Sequence, residues 1–252
     1  MNNKDTEWFV DQLIKNGEES TTLWALSPEP QEEKLNIPII DDILKENEFK
    51  TSCNKLAYFK SKLILNLQQI TQISQITIGQ GKNALWHTIR KGRLTASNFG
   101  YVLNAKKITP SLLDKFLNAK HLDGVKSIMW GSNNELQALN IFENKTGHNV
   151  KQCGIFLHEN GLLGATPDGL IEEDFIVEIK CPYSKRNECF VECIKDKKFF
   201  LGMIEGNIHL KKNHIYYHQI QGGLHITGRK QCYLVVWTLK DMFIELINKD
   251  EG

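Results

Sequence analysis

Phe175-Ile176-Val177-Glu178-Ile179-Lys180-Cys181 is an apolar, β-branched run carrying one carboxylate and one ammonium. Gly169 lies upstream and Pro182 follows directly, so the run reads as a short, largely buried strand. Alternation puts Phe175, Val177, Ile179 and Cys181 on one face and Ile176, Glu178 and Lys180 on the other. Opposite charges two residues apart on a buried strand are costly unless paired or coordinated. Pro167-Asp168-Gly169, just before the run, adds a carboxylate at a turn. Two acids and a lysine on one side of a sheet suit a divalent-cation site for phosphodiester cleavage. The acids hold the metal and the lysine fixes or activates the attacking water. Taken alone, Glu-x-Lys is a common triplet of solvated faces; the apolar flanks and the Pro-Asp turn argue for more.

The chain has 252 residues, enough for one sizeable domain with an extension. Its charge is divided. Residues 1–50 hold twelve acids and five lysines, net −7, which leaves +8 on residues 51–252. A basic body suits a polyanionic partner, although an excess this modest also fits proteins that never meet DNA. The six cysteines show no Cys-x-x-Cys pair, and the start does not resemble a signal peptide. Reduced thiols and an intracellular location are therefore expected, the nucleus being compatible if the source is eukaryotic. The longest apolar run, Cys232 to Leu239, is too short to span a membrane.

In chain order, residues 1–75 are expected to form an acidic, partly ordered and mostly helical extension without catalytic chemistry. Pro28, Pro30 and Pro38 interrupt it, while Trp8-Phe9 and Leu23-Trp24 argue against complete disorder. A helical pattern runs from Leu56 to about Ser74, and Gly79-Gln80-Gly81 reads as a break. After the basic turn ending at Arg93, Thr95 is expected to cap a short helix through Leu103. A helix over 110–120 should turn Leu112, Leu113, Phe116 and Leu117 to the core. Trp130-Gly131 opens another helix, in which Ser132-x-x-Glu135 fits a capping box. Yet Glu135 precedes Leu139 by four and Phe142 by seven, on the inward stripe.

Ile155 to His158, a turn at Glu159-Asn160-Gly161, and Leu162-Leu163 form an expected hairpin whose second strand delivers Thr166 and Asp168. Glu172, Glu173 and Asp174 read as solvated turn acids. Cys189-x-x-x-Cys193 lacks a partner pair at zinc spacing. A helix over 208–227 carries Gln219 on an apolar stripe, with Gly223 allowing close approach and His214 and His218 facing solvent. Strands at 231–239 and 243–247 close the chain.

Pro167-Asp168, nine residues, then Glu178-x-Lys180 resembles the signature of the restriction-endonuclease-like (PD-(D/E)xK) nuclease superfamily. Asp168-Gly169 with Glu178-Ile179-Lys180-Cys181-Pro182 resembles its lambda exonuclease / YqaJ viral recombinase branch. Trp86-His87, Arg90, Gly92 and Thr95-Ala96-Ser97 are similar to that branch's N-terminal motif. Trp130-Gly131 with Glu135, and Tyr216-x-x-Gln219-x-Gln221, are similar to two further motifs. The resemblance spans about residues 80–240.

The resemblance implies an α/β fold: a restriction-endonuclease-like core with a central mixed β-sheet flanked by helices, over residues 76–252. It implies a Mg²⁺-dependent deoxyribonuclease, with Mn²⁺ as alternative cation, that degrades linear duplex DNA from its ends, 5′ to 3′, in recombination or repair. Asp168, Glu178, Glu135 and the Ile179 carbonyl would hold the metal. Lys180 and Gln219 would complete the catalytic set, and Arg90, Ser97 and Thr166 would bind phosphate. Arg93 has no counterpart in the motif and is left as an ordinary backbone contact. The implied partners are double-stranded DNA ends, a single-strand annealing protein and two further copies in a ring of three, with no membrane. A structure-selective or restriction-type endonuclease on the same fold, and a non-catalytic DNA-end-binding module, remain open.

Overall fold

A computed structural model describes residues 37–117 and 124–251. The described chain begins with α1 (Ile40–Ile43), α2 (Asn47–Thr51), α3 (Lys55–Leu63), α4 (Leu67–Ile76) and α5 (Ala84–Arg90). Then come β1 (Leu94–Thr95), α6 (Ala96–Leu103), α7 (Pro110–Leu117) and α8 (Lys126–Thr146). Four strands follow: β2 (Phe156–Leu157), β3 (Leu163–Ala165), β4 (Gly169–Ile171) and β5 (Phe175–Lys180). The last part holds α9 (Phe190–Cys193), β6 (Leu201–Ile204), β7 (Asn207–Leu210), α10 (Ile215–Thr227), β8 (Gln231–Trp237) and β9 (Met242–Asn248).

The central sheet is mixed and ordered β4-β5-β8-β9. β5 is the buried run anticipated above. It pairs antiparallel with β4 and parallel with β8. A parallel pair needs a crossover, and α9, the β6–β7 hairpin and α10 supply it. Alternation divides the core into two layers. Ile176, Cys232, Leu234 and Val236 face α10 through Ile220 and Leu224. Val177, Ile179, Val235 and Trp237 face α8 through Ala138 and Phe142. This is the mixed sheet with flanking helices that the sequence suggested.

The hairpin signal at Asn160-Gly161 is also borne out, with shorter strands than expected: β2 pairs antiparallel with β3, and Gly161 turns at a φ of 66°. β1 adds parallel to β3, which brings the start of α6 beside the turn carrying Thr166. α6 and α10 then approach closely. A Cβ on Gly100 would lie 2.6 Å from the Ile215 Cα, and one on Gly222 would lie 2.5 Å from the Phe99 ring. At Gly223 a Cβ would reach 3.0 Å from the Ile176 Cδ1, so the neighbour is a side chain and not the backbone that the spacing suggested.

Several expectations are corrected. The pattern from Leu56 to Ser74 is two helices, because Asn66 caps α4 in a capping box with Gln69. The intervening Leu65 N–H donates instead to the Glu159 carbonyl, 2.8 Å away. The helix placed at 208–227 begins only at Ile215, since Asn207–Leu210 is the second strand of a hairpin. α8 starts upstream of Trp130, so Ser132 lies inside the helix and no capping box forms there. α6 has the expected bounds, but the Thr95 side chain does not cap it. Leu112 is half-buried while Leu113 is 45% exposed, and the end of the expected 110–120 helix lies outside the described residues. The apolar pairs Trp8-Phe9 and Leu23-Trp24 also lie outside them.

His214 does not face solvent as expected. It is the N-cap of α10: its ring Nδ1 accepts from the Tyr216 N–H at 3.2 Å, and the ring lies 5.6 Å from that of Phe200. Burial, joined by the charges of Lys211 and His218, holds its pKa below the ordinary histidine value.

Arg93 is spent inside the protein. It is 2% exposed, and its guanidinium donates to the carbonyls of Gly161 (2.7 Å), Ile89 and Pro38 (2.6 Å). One cation thus ties α5, the β2–β3 turn and the segment before α1. Residues 37–252 cluster as one compact unit. Arg93→Ala should lower the unfolding free energy by roughly 3 kcal/mol, since three buried acceptors lose their donor. Urea unfolding checks this, and a loss below about 1 kcal/mol would contradict the staple role. His214 protonates more readily in the unfolded chain, so its cap contributes fully above the ordinary histidine pKa and fades as pH falls through the lowered one. A His214→Asn variant keeps an N-cap acceptor and should lose that acid sensitivity, read as a smaller drop in urea midpoint than wild type as the pH falls below the ordinary histidine pKa.

Candidate active site

Glu178 is 2% exposed at the centre of the sheet, on the α10 face of β5. Its Oε2 accepts from Lys180 Nζ at 3.0 Å and from Gln219 Nε2 at 2.8 Å. β5 therefore supplies the acid and the ammonium, and α10 reaches across with the amide. The Lys180 ammonium also lies 5.1 Å from the centre of the Tyr216 ring. Gln221, one step round the helix, bonds the Asn248 carbonyl on β9 and faces away.

Asp168 stands on the turn between β3 and β4. Its N–H donates to the Val177 carbonyl at 3.0 Å, and its Oδ2 accepts the Ile179 N–H at 2.6 Å. The turn is thereby stitched to β5 on both sides of Glu178. Glu135, in the middle of α8, enters from the other face of the sheet, close enough to feel the charges of Lys180 and Glu178.

Three acids share one lysine, and the electrostatics record it. Burial first, then the Glu178 charge, pushes the Asp168 carboxyl well above the usual carboxylate range, against the pull of Lys180 and the Ile179 N–H. Burial also raises Glu135; Lys180 opposes this and Glu178 adds to it. For Lys180 burial acts downward, but Glu178 and Asp168 outweigh it and hold the ammonium above the ordinary lysine range. Cys181 and Cys153 are pushed up to about 12, by burial first, so neither offers a thiolate.

The donor set fits a hard divalent cation. It is built of oxygens, carries more negative charge than Lys180 balances, and gains from a counter-charge that neither burial nor hydrogen bonding provides. Among the described residues no three His, Cys, Asp or Glu side chains are gathered at ligating distance. Asp168, Glu178 and Glu135 could hold such an ion by turning oxygens now given to Ile179, Lys180 and Gln219.

A second group adjoins. Arg90, at the end of α5, stacks on Trp86 with its guanidinium carbon 4.2 Å from the ring centre. Its N–H groups reach the Thr166 and Thr95 hydroxyls at 3.4 and 3.3 Å. The Trp86 indole donates to Thr166 Oγ1 at 3.1 Å, and Thr95 Oγ1 lies 3.1 Å from Ser97 Oγ in the first turn of α6. Burial lowers the Arg90 pKa to about 10. Among the described residues Arg90 has no carboxylate partner, so hydroxyls and an aromatic face stand where an acid would.

These residues line one cavity of about 120 Å³ together with Gln80, Glu178 and Gln219. Of the candidates named from the sequence, Arg90, Ser97, Thr166, Glu178 and Gln219 line this cavity; Lys180 joins it through its bond to Glu178, Asp168 bonds Ile179 on the same strand, and Glu135 is tied to the group only by the charges it feels. Trp86, Tyr216 and Gln80, quoted in the sequence only as motif or turn residues, were given no site role. Trp86 could have been found from its i, i+4 spacing to Arg90, and Tyr216 from its place one turn before Gln219. Gln80, which lines the same cavity, gave no signal beyond a gap between two glycines.

The geometry agrees with what this chain resembles. An alkaline nuclease of Autographa californica nuclear polyhedrosis virus is 32% identical over 127 residues, covering 49% of this chain and 30% of the viral protein. The chain thus spans less than a third of that relative's length. A crystal structure of an alkaline exonuclease (LHK-Exo) from Laribacter hongkongensis superposes with a TM-score of 0.51 at 23% identity, over 67% of this chain and 84% of that one. A structure of LHK-Exo in complex with dAMP matches equally, with a TM-score of 0.51 at 24% identity, 66% and 83% coverage. At such identity the likeness shows the fold, and that fold is the restriction-endonuclease-like core of alkaline exonucleases. Residues 85–230, more than half of the sequence, match the YqaJ-like viral recombinase domain, and the chain belongs to that family.

Proposed function

We propose that this chain is a divalent-cation-dependent deoxyribonuclease that shortens linear double-stranded DNA from its ends, 5′ to 3′, in recombination or repair. One observation carries the reading. The cavity joins an acid-free arginine ringed by hydroxyls to the Glu178–Gln219 pair. A terminal phosphate on Arg90 would leave the adjoining part of the strand beside the carboxylates. The viral relative is an alkaline nuclease, and the bacterial exonuclease of the same fold is known with dAMP, in line with a nucleotide substrate.

Asp168, Glu178, Glu135 and the Ile179 carbonyl would hold Mg²⁺ or Mn²⁺. When bound, the ion supplies Lewis-acid polarisation and a more acidic water. The chain's own groups do the rest. Lys180 acts as an ammonium, kept charged by Glu178 and Asp168, and orients the attacking water while offsetting charge on the phosphorane-like transition state. It becomes a base only once the carboxylate charge is taken up elsewhere. Gln219 steadies the Glu178 oxygen that Lys180 shares. Arg90, Ser97 and Thr166 fix the phosphate without reading bases, so binding should weaken steeply with salt. We assign this chemistry to residues 76–252, with residues 1–75 as an extension that adds no catalytic group. A ring of three copies and a single-strand annealing partner belong to the same proposal. Among the described residues no helix is long and apolar enough to cross a membrane.

Linear 5′-phosphorylated duplex and a covalently closed circle, incubated with Mg²⁺ or with EDTA, test the reading. Loss of the linear DNA alone, blocked by EDTA, is the expected result. Nicking of the circle would point to an endonuclease, and binding without cleavage to an end-binding module. Lys180→Ala should reduce turnover by about a thousandfold or more while sparing DNA binding. Arg90→Gln should instead weaken binding of the phosphorylated end and spare any reaction at saturating substrate. Unchanged turnover in Lys180→Ala would remove that residue from the mechanism.

A further inference from the structure

Gln80 lies upstream of the segment that matches the family, and its backbone is unusual. It has a φ of 47°, one of only three non-glycine residues with positive φ among those described. Such strain persists where the surroundings over-determine it, and often marks a functional site. The surroundings here are explicit. Asn83 donates from Nδ2 to the Ile76 and Ile78 carbonyls (2.8 and 3.0 Å), while its Oδ1 accepts from Leu85 N and Trp86 N. His87 Nε2 lies 2.8 Å from the Gly81 carbonyl. The turn between α4 and α5 is thus clamped from both ends.

What the clamp holds in place is the Gln80 amide. Its Nε2 donates to the Pro167 carbonyl at 3.0 Å and to the Cys153 carbonyl at 3.3 Å. Pro167 immediately precedes Asp168, and as a proline it has no N–H with which to anchor itself. The Cys153 thiol reaches the same Pro167 carbonyl at 3.4 Å, a weak contact. Gln80 is therefore the strong donor to the Pro167 carbonyl itself, one residue before Asp168, whose own N–H and carboxylate are fixed by Val177 and Ile179. The same side chain lines the cavity beside Arg90 and Glu178.

We infer that Gln80 is a positioning residue: its amide sets the Pro167–Asp168 turn, and so fixes where the Asp168 carboxylate stands. Its amide is given to two main-chain carbonyls, so it acts through the turn. Its effect on the cation rests on the function proposed above; its effect on the turn does not.

Two substitutions separate positioning from folding. Gln80→Gly removes the amide but also the positive-φ strain, and because the two effects oppose each other the protein should stay folded with only a small change in melting temperature. Gln80→Glu keeps the shape but turns a carboxylate oxygen toward two carbonyls. The first readout needs no cation: amide hydrogen exchange at Ile179, whose N–H is held by Asp168 Oδ2. It should quicken about tenfold or more in both variants while the other β5 amides stay protected. The second is Mn²⁺ affinity, followed by electron paramagnetic resonance of free Mn²⁺, which should weaken by about tenfold to a hundredfold. Turnover should fall with little change in KM. A folded Gln80→Gly with unaltered Ile179 exchange would overturn the assignment. Wild-type protein that binds no Mn²⁺ would instead overturn the cation reading and leave the exchange result to judge Gln80.

Discussion

Glu178 is a carboxylate in the middle of a hydrophobic sheet, and the surrounding structure depends on how it is satisfied. Lys180 on the same strand answers the charge, and Gln219 on α10 answers the remaining hydrogen-bond demand of the shared oxygen. Removing either would leave a buried charge or acceptor unmatched, far costlier than never having had the group. The arrangement requires α10 to lie close on β5. The glycines at 100, 222 and 223 make that possible by removing side chains where helix meets helix and sheet. Polar satisfaction and close packing are here one constraint.

The same economy governs the arginines. Arg90 and Arg93 are three residues apart, the first half-buried and the second buried, and both lack a carboxylate among the described residues. Arg93 spends its donors on main-chain carbonyls and becomes part of the scaffold. Arg90 meets only hydroxyls and a tryptophan face. Hydroxyls can turn and yield to a stronger acceptor, whereas carbonyls in a fixed turn cannot. The contrast between anchor and open cation lies in the partners, not in the residue type.

That contrast marks the limit of what the sequence made legible. β5 was readable because burial on both faces leaves a continuous apolar run, and the hairpin because Asn160-Gly161 suits one turn geometry. Glu178, Lys180, Glu135 and Gln219 stood out as polar residues on apolar stripes, and Asp168 as an acid at a turn after a proline; the resemblance joined them into one site. Other features depend on distant partners that no local pattern shows. The break before Asn66 exists because Leu65 bonds Glu159 across the fold. Residues 207–210 leave the helical pattern because they pair with Leu201–Ile204. Gln80 looked like a spacer between glycines because its two acceptors lie more than seventy residues away in sequence.

The parallel pairing of β5 with β8 also has a meaning for biosynthesis. Asp168 and Glu178 belong to one hairpin and can meet as soon as β4 and β5 have left the ribosome. Gln219 and the β8 partner of that strand come only after the whole crossover has been made. Contacts of such long sequence separation form late. An unfinished chain therefore carries its acids without the amide and the neighbouring strand that hold them in order. The order of the acid pair is therefore completed only once α10 and β8 have been made and packed against β5.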